Sequence, residues 1–68
     1  MNYTILLEKG NHNWSAYCPD LPGCVATGST KELCVSNMKE AIEFHIQGIV
    51  EDGETPPEPS TIAEVISI

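Results

Sequence analysis

"CVATGSTKELCVSNMKEAIEFHIQGIVEDG", residues 24–53, holds the switch that decides the fold. Its first five residues are small or β-branched and read as a short strand ending at Gly28. Beyond Gly28 the apolar positions change period. Leu33, Val35, Met38, Ala41, Ile42, Ile46, Ile49 and Val50 recur at helical spacing on an otherwise polar segment, which predicts one long helix running to about Glu51. Ser29 and Thr30 mark its start, with Ser29 and Glu32 at capping-box spacing, and Asp52-Gly53 is a fitting stop because glycine tolerates the left-handed C′ conformation.

Two more strands precede the switch. "YTILLEK", residues 3–9, is rich in β-branched, aromatic and apolar residues and stops at the turn formers Gly10-Asn11-His12-Asn13. "WSAYC", residues 14–18, alternates Trp14, Ala16 and Cys18 with Ser15 and Tyr17. Pro19 and Pro22 then end strand pairing, while Gly23 permits positive φ. After the helix, "ETPPEPS" has prolines at 56, 57 and 59 and reads as an extended linker. Ala63 to Ile68 is β-branched enough for a last strand, pairing parallel to strand one through a right-handed crossover. The expected fold is α+β: a small β-β-β-α-β domain spanning residues 1–68, with a mainly antiparallel three- to four-stranded sheet and one long helix on one face.

A chain of 68 residues buries only about 60% of the surface it exposes when unfolded. Its core supplies roughly 3–5 kcal/mol, so self-association into a homo-oligomer is expected. Ten acidic residues against three basic ones give a formal net charge of −7. Such a chain is repelled by nucleic acid, whose phosphates are bound by clustered Lys and Arg. The same field attracts and steers a basic protein partner, or simply keeps a small protein soluble. "MNYTILLEKG" lacks the pattern of a secretory signal, no apolar run is long enough for a membrane helix, and three cysteines is an odd count. Together these point to a cytoplasmic protein with reduced thiols.

"PDLPGCVATGST", followed by "MKEAIEFHIQGIVEDGETPPEPS", resembles the HicB family of antitoxins. The resemblance covers Tyr3 to about Ser60 and rests on three features in order: the Pro-Asp-Leu-Pro-Gly turn, the Gly28–Thr30 helix start and the Gly- and Pro-containing helix exit. It implies a truncated ribonuclease-H-like domain without that fold's catalytic carboxylates. It also implies a partner, a small basic HicA-type toxin that cleaves messenger RNA and is blocked by the domain. Many members continue into a DNA-binding domain, which residues 1–68 do not contain.

The residues leave little room for catalysis or metal chemistry. Cys18 and Cys24 are spaced C-x5-C, wider than the usual zinc pair, and the other soft donors are Cys34, His12 and His45. Core packing is the favoured role for the thiols, and a reducing compartment disfavours a Cys18–Cys24 disulfide. No local signature pairs His45 with a nucleophile, and Asp20 and Glu8 are the only acids before the helix, too few for a two-metal nuclease. No catalytic residue, metal ligand or cofactor is therefore expected. Candidate partner-binding residues are Trp14, Tyr17, Asp20, Leu21, Glu51, Asp52, Glu54 and Glu58. Asp20 also suits a turn, accepting a backbone N–H two residues on. Leu21 is either a plug for the core or an exposed anchor, and Trp14 belongs to the interface or to the core. The four later acids are a solvated helix end, or else contacts for Lys and Arg of a nuclease in place of the RNA backbone. Two functions fit these readings: a non-catalytic antitoxin module that occludes a basic toxin, and a stand-alone homo-oligomeric scaffold whose sheet edges pair between subunits.

Overall fold

In a computed structural model describing all 68 residues, the chain forms three strands and one helix. The strands are β1 (Leu6–Lys9), β2 (Trp14–Tyr17) and β3 (Val25–Gly28), and the helix is α1 (Lys31–Glu51). The sheet is antiparallel with order β1-β2-β3, so Ala16 lies between Leu7 and Ala26, and Tyr17 between Leu6 and Val25. This register turns Leu7, Ala16 and Ala26 toward the helix and leaves Leu6, Tyr17 and Val25 on the opposite face.

Small residues on β2 and β3 set how closely the helix approaches. Ala16, Cys18, Leu21, Cys24, Cys34 and Met38 are the fully buried side chains, and Ala26, Ala41, Ile42 and Ile46 pack around them. Gly28 is the point of closest approach: a Cβ there would lie 2.5 Å from the Cys34 backbone nitrogen. Its φ is not in the left-handed region, so the requirement for glycine is contact with the helix backbone and not a special dihedral. Asn37 fastens the same junction by donating from Nδ2 to the Thr27 carbonyl at 2.8 Å.

The helix stripe is shifted from the one its spacing predicts. Cys34 and Met38 point inward, whereas Leu33, Val35 and Val50 are exposed, because the strand-to-helix turn at Gly28–Thr30 rotates the helix to present Cys34 to Ala26. The N-cap also differs. Thr30 rather than Ser29 caps α1, its Oγ1 accepting from the Leu33 amide at 3.1 Å, so no Ser29–Glu32 capping box forms.

The chain from Cys18 to Cys24 is two consecutive tight turns. Leu21 donates its amide to the Cys18 carbonyl at 3.1 Å, with Pro19 at the first central position. Cys24 then donates to the Leu21 carbonyl at 3.0 Å across Pro22-Gly23, and Gly23 takes φ +83°, as a type II turn requires at that position. The double turn carries Leu21 back under the helix, where it is fully buried.

The expected fourth strand does not form. Residues 61–68 have no ladder partner, and all but Thr61 are exposed. Side-chain hydrogen bonds hold the preceding segment at Tyr3, Thr4 and Asp20, so it is turned off the β1 edge before a ladder begins.

Candidate partner-binding surface

The acidic segment after α1 is fixed at both ends. At its start the helix closes in a Schellman arrangement: Gly53 donates to Val50 and Glu54 to Ile49, each at 3.0 Å, with Gly53 at φ +79°. At its far end the Asp20 carboxylate accepts four hydrogen bonds. Ser60 and Thr61 each give a backbone N–H at 3.1 Å, and their hydroxyls donate at 3.0 and 2.8 Å. Between the two anchors the Tyr3 hydroxyl donates to the Pro57 carbonyl, and Thr4 Oγ1 donates to the Thr61 carbonyl at 2.8 Å. Three prolines stiffen what remains.

Glu51, Asp52, Glu54 and Glu58 are exposed along this pinned stretch. Their position runs against helix electrostatics, since a helix C-terminus carries about half a negative charge and favours Lys or Arg there. The last turn of α1 holds no basic residue. Glu51 instead accepts from Gln47 Nε2 at 3.1 Å, a neutral donor that leaves the carboxylate's charge in place. Helix electrostatics therefore does not account for the placement of these acids.

Asp20 has a different role from the one its sequence position suggests. Its carboxylate does not serve its own turn but ties that turn to Ser60 and Thr61. The hydrogen bonds, led by the Thr61 amide, hold its pKa below the ordinary carboxylate value. Tyr3 is shifted upward, first by partial burial and then by the negative charge of Cys18, Glu58 and Asp20. The long-range partners of Asp20 had no signal in local sequence, because Ser60 and Thr61 lie 40 and 41 residues away.

The remaining candidates separate. Leu21 is fully buried, so of its two readings the core plug holds and the exposed anchor does not: the double turn points its side chain inward. Trp14 is partly buried and packs against the core on the helix side. Tyr17 stands on the open face of the sheet, 41% exposed, beside Val25 at 64%. The structure therefore ties Asp20 to the far end of the acidic segment, buries Leu21 in the core, packs Trp14 on the helix side and leaves Tyr17 on the open face of the sheet. All three cysteines are free and buried, and burial raises the pKa of Cys24, with the charge of Cys18 adding to it. No group of three or more His, Cys, Asp or Glu side chains is placed to hold a metal ion. No helix is long and apolar enough to cross a membrane.

A three-stranded antiparallel sheet under one long helix is an α+β architecture, and a chain of a solved toxin–antitoxin complex shares it. The chain belongs to the HicB-like antitoxin family of bacterial toxin–antitoxin systems, whose family model matches residues 3–67. Among solved structures, a chain of the HicA3 and HicB3 toxin–antitoxin complex superposes with a TM-score of 0.73 at 30% identity, over 88% of this chain and 70% of that one. An uncharacterised 14.9 kDa protein from the rep-hol intergenic region of Haemophilus phage HP1 is 42% identical over 67 residues, 98% of this chain. This chain spans half the length of that phage protein. A UPF0150 protein of Synechocystis is 38% identical over 68 residues, covering 98% of this chain and 86% of its own length. The resemblance read from the turn, the helix start and the helix exit is thus the family to which the chain belongs.

Proposed function

We propose that this chain is the neutralising half of a toxin–antitoxin pair: a non-catalytic module that binds a small basic HicA-type toxin and covers the surface with which it holds messenger RNA. The observation that carries the reading is the acidic segment Glu51–Glu58, exposed at the negative end of α1 and pinned at both ends by the Gly53 cap and the Asp20 clasp. Acids on a fixed backbone meet Lys and Arg without first being ordered, so less affinity is lost on binding. Their field also raises the rate of encounter with a basic partner. Family membership and the HicA3–HicB3 neighbour support a toxin as that partner.

The test is co-expression and purification with HicA-type toxins, beginning with any basic reading frame adjacent to its own, followed by affinity measurements across a salt series. Glu54→Lys combined with Glu58→Lys is expected to weaken binding roughly tenfold at low salt, with the deficit shrinking as salt rises and melting unchanged. Equal affinity of the variant and the parent at every salt concentration would remove the electrostatic mechanism. Failure of the parent chain to bind or protect against any such toxin would remove the function.

A further inference from the structure

A groove of about 570 Å³ runs between α1 and the chain before β1. Tyr3 and Ile5 form one wall and Met38, Ile42 and Ile46 the other, with Lys39 and Glu43 one helical turn apart along it. It exists because α1 lies over β3 and β2 and leaves the β1 side uncovered.

The last residues of the chain start out from this groove. Tyr3, part of its wall, donates to the Pro57 carbonyl, and Thr4 Oγ1 donates to the Thr61 carbonyl at 2.8 Å. Ile62 follows directly, so no free linker separates the tail from the slot. Residues 62–68 nevertheless lie outside any helix or strand, with Ile62 83% exposed, Val65 96% and Ile66 78%. Contact between an exposed apolar tail and an uncovered apolar slot removes both surfaces from water.

The tail's residue pattern decides the form in which it fits. As a strand it would bring Glu64 into the slot together with Ile62 and Ile66, because alternate residues share a side. At helical spacing that conflict disappears: Ile62, Val65 and Ile66 stand at i, i+3 and i+4 on one face, and Glu64 and Ser67 on the other. Thr61 and Glu64 also have the spacing of a capping box. Asp20 already takes the Thr61 N–H and hydroxyl proton, which leaves the lone pairs of Thr61 Oγ1 to accept from the Glu64 amide.

We infer that residues 62–68 are a strap that closes over the chain's own groove as a short helix capped by Thr61, seating Ile62, Val65 and Ile66 against Ile5, Ile42 and Ile46. Glu64 then faces out of the slot, on the Lys39 side of Glu43. Seven helical residues span about 10 Å, within the roughly 17 Å of α1 from Val35 to Ile46. A helix this short does not hold in water by itself, so it forms on contact, and the extended tail is its open state. One copy suffices, since a tail rooted beside its slot meets it at a roughly millimolar effective concentration. Closing also fixes the chain just beyond the Asp20 clasp, at the far end of the acidic segment.

The experiment needs no toxin, so its failure is distinct from failure of the antitoxin reading. In the full chain, at the 7.4 kDa of one copy, NMR should show helical shifts after Thr61 and nuclear Overhauser contacts from the Ile62 and Ile66 methyls to those of Ile42 and Ile46. A mixture of labelled and unlabelled chains should show those contacts within one chain and none between chains. Ile62→Asp combined with Ile66→Asp changes side chains that are exposed in the open state, so the variant keeps its sheet and α1; it should lose the contacts and melt several degrees below the parent. A tail without contacts to the groove would overturn the inference. So would contacts to Tyr17 and Val25 on the open face of the sheet, contacts between chains, strand-like shifts after Thr61, or a double variant that melts with the parent.

Discussion

Replacing Gly28 by alanine tests the helix–sheet contact on which the fold depends. A Cβ there would sit 2.5 Å from the Cys34 nitrogen, 2.8 Å from Cys34 Cα and 2.9 Å from the Leu33 carbonyl carbon. All three are backbone atoms and cannot swing away. Carbon contacts are relaxed near 3.5 Å, so the first turn of α1 must retreat by roughly 1 Å, lifting Cys34 and Met38 from the sheet. Overpacking of this kind costs about 1–3 kcal/mol. Against a core that supplies roughly 3–5 kcal/mol, that is a large share. At about 4–8 °C per kcal/mol for a domain of this size, a loss near 2 kcal/mol lowers Tm by about 8–16 °C. Gly48→Ala is the control. Its Cβ meets nothing within 4 Å, in the interior of the same helix, so it should gain about 0.5–1 kcal/mol from the lost glycine entropy. Thermal melts by circular dichroism should move in opposite directions for the two variants. A Gly28→Ala protein that melts at or above the parent would refute the close-approach argument.

Leu21→Ala empties a fully buried site and should cost about 3–5 kcal/mol, enough to unfold most of the chain in a urea titration; a stable, well-folded variant would show that the double turn does not hold the core. Asp20→Asn removes half of the acceptors for Ser60 and Thr61, and hydrogen exchange at those two amides should speed up while exchange in α1 stays unchanged. Because hydrogen bonding lowers the folded-state pKa of Asp20, the clasp is fully formed above the unfolded value, near 3.9. It is lost as pH falls through the lower folded value, so protection of Ser60 and Thr61 should persist through pH 4 and fail below it; loss of protection well above pH 4 would contradict the assignment. The three buried thiols should resist a polar disulfide reagent in the native state and react fully after denaturation; rapid native labelling would place them at the surface.

Periodicity made the three strands, the helix and its stop at Gly53 readable, because each is written in residues adjacent in sequence. The "PDLPG" turn was readable as a corner, and Leu21 as one of two alternatives. Two things were hidden. The rotation of α1 that exchanges Leu33 and Val35 for Cys34 is set by Gly28 and the Thr30 cap, and both candidate caps, Ser29 and Thr30, are equally good residues for the position. The destination of Asp20 was hidden more deeply, since a hydrogen bond across 40 residues has no periodic signature. A β-branched tail was readable as a strand, but whether it pairs depends on the path that precedes it, and the clasp settles that path.

That clasp joins the two regions that sequence reading kept separate. Asp20 lies in the turn that buries Leu21, and Ser60 and Thr61 lie at the end of the acidic segment. Whatever positions Leu21 therefore positions the far anchor of Glu54 and Glu58, while the near anchor is the helix end itself. Mobile acids at a surface lose much of their attraction to side-chain and backbone ordering. These acids have their backbone ordered in advance, by two anchors and three prolines, at the cost of placing negative charge against the helix dipole. On the function proposed above, that ordered charge is what covers the basic surface of a toxin, a task that requires no catalytic group from this chain.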